Sequence, residues 1–161
     1  MNTSPHPLAL ARCYFFTVRL CDPGSDLLVR EISLLRDCVR LVRQTDPFAI
    51  EHAVILPNRV HMIWTLPPED GDYGRRWKAI KTGFERNLPQ PVKGVAGRSA
   101  VWQRRFWECP VRDAAEMAVY AEVIAQAPVE DGLVRRPGLW PYSSLWTARV
   151  RQARPALRRA G

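Results

Sequence analysis

The sequence predicts a single α+β domain in which helices pack on one side of an antiparallel β-sheet. Short runs of aromatic and β-branched residues alternate along the chain with longer segments whose apolar residues recur every three or four positions. The chain has 161 residues, of which 47% are hydrophobic, and it shows no internal repeat, so one core is expected. The order strand, helix, hairpin, helix, strand, helix favours an antiparallel sheet.

The first half of the chain predicts a strand, a long helix and a β-hairpin. Residues 14–20 are rich in aromatic and β-branched side chains and are followed by turn residues at 21–24. Residues 26–44 carry apolar side chains at helical spacing with arginines between them, which indicates an amphipathic helix. Two apolar runs, 48–56 and 60–66, are separated by Pro57 and Asn58, a pair that favours a turn. A β-hairpin is therefore expected there.

The second half predicts two further helices and a short strand. Asp72 can cap a helix over residues 73–87, and Asp113 with Glu116 has the spacing of a capping box. The helix after Asp113 is expected to end near residue 126, before Pro128, because proline disfavours helix continuation. Between these helices, residues 89–99 indicate a mobile loop and residues 101–107 a short strand or extended arm.

The charge balance favours a polyanionic partner. Twenty-four Lys and Arg against sixteen Asp and Glu give a net charge of +8. Arginine presents a planar fork that can hold a phosphate with two hydrogen bonds, and phosphate binding releases counterions. A merely soluble basic protein is the alternative. Residues 1–148 are expected to form the single domain, and the arginine-rich residues 149–161 a basic, flexible tail.

Membrane and secreted proteins are the classes that the sequence disfavours. No apolar stretch approaches the roughly 18 to 20 residues of a membrane helix, and residues 1–12 lack the charge and apolar pattern of a signal peptide. The four cysteines show no Cys-x-x-Cys spacing, so we interpret them as reduced thiols. A cytoplasmic protein with no membrane partner is the expectation.

Four segments carry a resemblance to a known family: residues 56–64 (LPNRVHMIW), 101–107 (VWQRRFW), 128–134 (PVEDGLV) and 140–144 (WPYSS). In this order they resemble the REP-associated tyrosine transposases, which are single-tyrosine HUH transposases. The resemblance implies a ferredoxin-like sheet, binding of single-stranded or hairpin DNA, and cleavage by a tyrosine that becomes joined to a 5′ phosphate. It allows either a monomer or a homodimer.

The family's catalytic site needs two histidines, a tyrosine and an amide. Histidines two positions apart on a strand share one face and can ligate one divalent cation, which activates the phosphate. In this chain Arg59 stands at the first histidine and His61 at the second, while the tyrosine falls on Val123 and the amide on Ala127. An arginine repels a cation and valine is no nucleophile. We therefore expect DNA binding that needs no cofactor, with little or no strand cleavage.

Two alternatives remain open at this point. Tyr120 lies three residues before Val123, so it could act as the nucleophile, with His61 and Gln126 holding Mg²⁺ or Mn²⁺. Tyr120 and His61 could equally be structural residues. The second alternative is a basic module that binds RNA or a protein partner, since composition does not separate RNA from DNA.

The candidate DNA contacts are basic residues of the motifs and of the second helix, with aromatic residues beside them. Trp102 and Trp107 flank two arginines and could stack on unpaired bases, whereas Trp64 and Trp77 are better explained as core residues. Arg59 could hold a phosphate in place of the cation. The predicted DNA-binding residues are Arg59, Arg75, Arg76, Lys78, Lys81, Arg86, Trp102, Arg104, Arg105 and Arg112.

Overall fold

The computed structural model describes residues 12–92 and 99–146. The predicted tail over residues 149–161 lies outside these ranges, as does much of the loop predicted over residues 89–99. The strands are β1 (Cys13–Arg19), β2 (Ala49–Ile55), β3 (Arg59–Thr65) and β4 (Trp107–Pro110). The helices are α1 (Leu27–Arg30), α2 (Ile32–Thr45), α3 (Tyr73–Arg86) and α4 (Ala114–Glu130), and a short 3₁₀ turn spans Pro137–Leu139.

The strands form one antiparallel sheet in the order β2-β3-β1-β4. The central strands β1 and β3 pair along their whole length, with Thr17 opposite His61. Strand β2 pairs with β3 and carries an irregularity between Ile50 and His52. The α+β class with an antiparallel sheet is thus confirmed. The succession of β1, helix, β2, β3, helix and β4 is the ferredoxin-like arrangement that the resemblance implied.

One face of the sheet carries the larger core and is covered by α1, α2 and α3. The indole rings of Trp64 on β3 and Trp77 on α3 stack with their centroids 4.4 Å apart. Alternate residues of the central strands point to this face because side chains alternate with period two. Its buried members include Phe16, Val18, Val60, Met62, Trp64, Leu35, Trp77, Ile80 and Phe84.

Helix α4 covers the opposite face, so the expectation that all helices share one side is wrong for this helix. Its buried residues Ile124 and Ala127 belong to a second core with Phe15, Val54 and Ile63 of the sheet. The physical reason lies in the strands themselves. Residues of β1 and β3 are apolar on both faces, and a sheet of that composition has to be covered on both sides to keep them from water.

The two edges of the sheet are treated differently. Along β2, the Ile55 N–H donates to the Tyr142 carbonyl at 2.8 Å and the Ala53 N–H donates to Ser144 Oγ at 3.1 Å. The segment that follows the 3₁₀ turn therefore covers this edge. The other edge is β4, which is only four residues long and ends at Pro110.

Helix starts agree well with the sequence. The Asp72 side chain accepts from the Arg75 N–H at 2.9 Å and the Asp113 side chain accepts from the Glu116 N–H at 2.8 Å. The helix predicted over 26–44 is divided at Glu31 into α1 and α2, which lets apolar residues of both pieces enter the same core. None of the helices in the described residues is long and apolar enough to span a membrane.

Two predicted boundaries are wrong. Helix α4 continues through Pro128 to Glu130, where the buried proline ring belongs to the helix interior and packing offsets the missing hydrogen bond. For residues 101–107 the short-strand alternative is wrong, because only an isolated bridge from Trp102 to Leu20 forms and the regular strand begins at Trp107.

Candidate nucleic-acid interface

The two positions at which the resemblance expects the histidine pair lie on β3, on the face covered by α4. Arg59 and His61 point to this face together, as the alternation of a strand predicts. Both are joined by a hydrogen bond from Arg59 Nε to His61 Nε2, 3.2 Å long. The two side chains are therefore bonded to each other.

His61 is buried and its two ring nitrogens are both engaged. Nδ1 lies 2.8 Å from Thr17 Oγ1, and Nε2 accepts from Arg59. Because a guanidinium can only donate, the proton of the neutral ring is on Nδ1 and is donated to Thr17. Burial, and then the positive charges of Arg59 and Arg19, lower the pKa of His61 to about 4. The ring is therefore neutral at pH 7, with no lone pair directed at a cation.

Arg59 is held by Asp131, which follows the last residue of α4. The guanidinium makes two parallel hydrogen bonds to the carboxylate, of 2.7 and 2.8 Å, and a third of 3.2 Å to Asn58 Oδ1. Only 14% of the Arg59 side chain and 28% of the Asp131 side chain are exposed. The hydrogen bonds from Arg59 lower the pKa of Asp131. The expectation that Arg59 offers a free fork to a phosphate is therefore wrong for this arrangement.

The backbone at the end of α4 places Asp131 for this contact. Gly132 has φ +72°, and its N–H donates to Val129 O while the Leu133 N–H donates to Pro128 O at 2.9 Å. This pattern closes the helix and requires the left-handed conformation that glycine adopts without strain. Sequence reasoning missed Asp131 as a functional residue, although the Asp-Gly pair directly after a helical segment was a usable signal.

Tyr120 faces β4 and not His61. Its hydroxyl lies 2.8 Å from Cys109 Sγ, and its ring stacks on Phe15 with centroids 4.7 Å apart. The His61 ring also stacks on Phe15, at 5.7 Å. The hydrogen bond with Cys109, followed by burial, raises the pKa of Tyr120 to about 12. The phenol is thus protonated at pH 7 and packed as an aromatic residue of the second core.

Gln126, the remaining candidate metal ligand, does not form a site with His61 and Tyr120. Gln126 Nε2 donates to Glu122 Oε1 at 2.9 Å. Gln126 follows Tyr120 by six residues, which is about 240° around a helix, so the two side chains leave α4 in different directions. Within residues 12–92 and 99–146, no three His, Cys, Asp or Glu side chains are grouped to hold a metal ion. The residues at this site do not fit a divalent cation.

A basic groove lies on the other side of the sheet, between α3 and residues 99–106. Its volume is about 1050 Å³, and its lining includes Lys78, Lys81 and Arg104. Lys81 Nζ donates to the Gln103 carbonyl at 2.9 Å, and burial lowers the pKa of Lys81. Lys78 and Arg104 are exposed and form no ion pair with the residues the structure describes. Three basic residues among the predicted DNA contacts therefore share one concave surface.

Two arginines of α3 serve the fold instead. Arg76 is 0% exposed and donates to the carbonyls of Asp46, Pro47 and Asp72, so its prediction as a DNA contact is wrong. Arg75 is exposed but its guanidinium pairs with three carboxylates, those of Asp46, Asp70 and Asp72. Such ordered donors are needed to satisfy the loop before α3 and are not free for phosphate.

The tryptophans divide sharply by burial. Trp102 is 2% exposed and packs edge-on against Phe84 at 5.5 Å, so its prediction as a stacking platform is wrong. Trp64 and Trp77 are core residues as expected. Trp107, in contrast, is 57% exposed. The predicted contacts Arg86, Arg105 and Arg112 are exposed as well.

The comparisons with known proteins were decisive for the family, although no protein-family model matches the chain. The chain is 35% identical over 131 residues to a REP-associated tyrosine transposase of Escherichia coli (strain K12), covering 81% of this chain and 74% of that protein. It belongs to the REP-associated tyrosine transposase family. A Haemophilus influenzae protein provisionally given the same family name is 34% identical over 137 residues, with 81% and 78% covered.

A solved structure of a REP-associated tyrosine transposase bound to a REP hairpin matches the fold. The TM-score is 0.78 at 32% identity, and the match covers 94% of this chain and 87% of the other. The family resemblance and the fold inferred from it are thereby confirmed. Within the family pattern, this member has Val123 and Ala127 at the positions that the resemblance gives to the tyrosine and the amide, and Ala127 is buried.

Proposed function

We propose that this REP-associated tyrosine transposase binds hairpin or single-stranded DNA and cleaves it little or not at all. The observation that carries the loss of cleavage is the pairing of Arg59 with Asp131 and His61, which fills the position of the histidine pair with an ion pair. A cation approaching this site would meet a guanidinium charge and a histidine whose Nε2 lone pair is already used.

The proposed loss of cleavage also rests on the absence of a nucleophile at the family position. Attack on a phosphate requires an oxygen or similar group, and Val123 offers none. Tyr120 is three residues away and keeps its hydroxyl on Cys109, with its pKa raised to about 12. A tyrosine that holds its proton so firmly is a poor nucleophile near neutral pH.

The basic groove supports DNA binding. Lys78 comes from α3 and Arg104 from the segment that faces it, and the exposed Arg86 adds positive charge in the last turn of α3. Phosphate contacts of this kind give affinity without sequence information, because they neutralise the backbone and release counterions. The related structure that holds a REP hairpin favours a hairpin as the ligand.

The test is to mix the wild-type chain with a fluorescent DNA hairpin that carries a single-stranded extension, with and without Mn²⁺. We expect a complex in native gels under both conditions and no covalent band in denaturing gels. A Tyr120→Phe variant is the matched control, because it keeps the ring that packs on Phe15. A covalent band that needs Mn²⁺ and disappears in Tyr120→Phe would establish the cleaving alternative instead.

A further inference from the structure

We propose that Trp107 is a platform on which one unpaired base of the bound DNA stacks. The inference rests on the proposed function, and adds to it where a single-stranded nucleotide next to the hairpin is held. Trp107 is the first residue of β4 and lies opposite Thr17, on the face of the sheet against which α4 packs. The residue is 57% exposed.

The exposed indole is not explained by the fold. Among the tryptophans of the described residues, Trp64, Trp77 and Trp102 are buried, Trp146 is half-buried, and the half-buried Trp140 donates from Nε1 to the Ile55 carbonyl at 2.9 Å. Trp107 instead makes an edge contact with Phe15 of the second core, at a centroid distance of 5.8 Å and an angle of 77°. That contact orients the ring while most of its surface stays in water.

The chain around Trp107 links the indole to the basic groove. Phe106, its neighbour, points to the opposite face of the sheet, where it packs against Tyr73 and Trp77 of α3. Arg104 lines the groove on that side. The segment 104–107 thus joins the two faces of the sheet at its edge. Arg104, at one end, lines the groove, and the exposed Trp107 is at the other.

The charges near the indole suit a nucleotide. Arg19 lies on the same face as Thr17, the register partner of Trp107, because the two residues are two positions apart on β1. Arg19 and Arg105 are exposed and form no ion pair with the residues the structure describes. The nearest acid in sequence, Glu108, faces the other side and accepts from Tyr73 Oη at 3.4 Å. Arg19 therefore brings positive charge to the face of the sheet that carries the ring.

An unpaired base is the occupant that this arrangement favours. Every base has a flat aromatic face, and an exposed aromatic side chain beside arginines is a common way to hold single-stranded nucleic acid. Bases inside a duplex are already stacked on each other and do not present that face. The proposal therefore concerns the single-stranded extension and not the paired stem.

The experiment uses two kinds of DNA probe that share one hairpin, a blunt one and one with a short extension that carries 2-aminopurine, placed 5′ or 3′ in separate probes. Wild-type protein is expected to bind one of the extended probes more tightly than the blunt one and to quench its fluorescence. Trp107→Ala is expected to lose about 5- to 100-fold in affinity for that probe and to lose the quenching, with blunt-hairpin affinity nearly unchanged. Trp107→Phe should recover part of both.

The control variant is Leu41→Ala, which removes a side chain of similar exposure, 58%, from α2. It should leave both affinities and the quenching unchanged. Equal loss of blunt and extended binding in Trp107→Ala, or full quenching in that variant, would overturn the stacking role while leaving hairpin binding standing. Absence of any hairpin complex with wild-type protein would instead overturn the proposed function, and this inference with it.

Discussion

Arg59 determines the chemistry of its site because a guanidinium attracts a carboxylate, whereas a neutral histidine can ligate a cation. Its fork is matched by the two oxygens of Asp131, and its Nε–H is matched by His61. A two-bond ion pair of this geometry is among the stronger polar contacts in proteins. At the scale of single residues, this ion pair joins β3 to the residue that follows α4.

Asp131→Asn is expected to lower the free energy of unfolding at pH 7 by about 1–3 kcal/mol, because Arg59 would keep its charge in a partly buried position without an opposite charge. Because the pKa of Asp131 is lowered in the folded protein, its contribution is present above the unfolded pKa and is lost as pH falls through the folded one. Urea unfolding at pH 7 and at low pH measures both effects.

The matched control for that variant is Asp37→Asn, which breaks the exposed pair between Asp37 and Arg40 on α2. Exposed pairs contribute roughly 0–1 kcal/mol, so this change should be nearly neutral. Equal effects from the two variants would show that the ion pair of Arg59 with Asp131 contributes no more to the free energy of unfolding than an exposed pair does.

The His61 ring is expected to stay neutral across the physiological range. Its folded pKa of about 4 lies below the ordinary value of 6.5. Since the unfolded chain takes up the proton first, the contribution of His61 to the free energy of unfolding should be constant above about pH 6.5 and fall as pH decreases towards 4. NMR titration of the His61 ring protons gives the measurement. A midpoint near 6.5 in the folded protein would contradict the burial and the contact with Arg59.

At the scale of elements, the end of α4 does not follow from local sequence signals. Pro128 lies inside it, and the termination depends on Gly132 in a left-handed conformation. Sequence spacing predicted the start of α4 at Asp113, because capping is a local interaction between neighbours in the chain. Its end depends on tertiary packing of Ala127 and Pro128, which local spacing does not encode.

Gly132→Ala should lower the free energy of unfolding by about 1 kcal/mol, because an L side chain is strained at φ +72°. An added Cβ would meet no atom within 4 Å, so the cost comes from the backbone alone. Gly74→Ala, in the first turn of α3, is the control and is expected to be neutral or slightly stabilising. Denaturant unfolding of the two variants compares them. A neutral Gly132→Ala would contradict the conformational argument.

At the scale of the whole molecule, the sheet separates a basic groove on one face from an exposed aromatic side chain on the other. The groove of Lys78, Lys81 and Arg104 lies on the side of α3, and Trp107 lies on the side of α4. The first three strands, the β-hairpin that two of them form and the two helix caps followed from periodicity and turn residues. Sequence patterns did not predict which arginines remain unpaired, because the partners of Arg59 and Arg76 lie far away in the chain. Asp131, the partner of Arg59, is one example.

Lys78→Gln combined with Arg104→Gln is expected to weaken hairpin binding and to reduce the slope of log affinity against log salt by up to about 2, one for each phosphate that the variant no longer neutralises. Fluorescence anisotropy between roughly 50 and 200 mM salt measures the slope. The control is Arg30→Gln with Arg40→Gln, which removes the same charge from the exposed surface of α1 and α2. An equal loss of affinity in both double variants would indicate a general charge effect without a defined groove.

The edges of the sheet have a consequence for association between proteins. Residues 142–144 occupy the outer side of β2, and β4 offers four residues that include the charged Glu108 and end at Pro110, which has no N–H to donate. Covered, short or proline-ended edges resist the addition of a strand from another molecule, which is the step that begins β-aggregation. The main chain of the sheet is thus protected from such pairing, while the side chains of the groove and of Trp107 remain accessible.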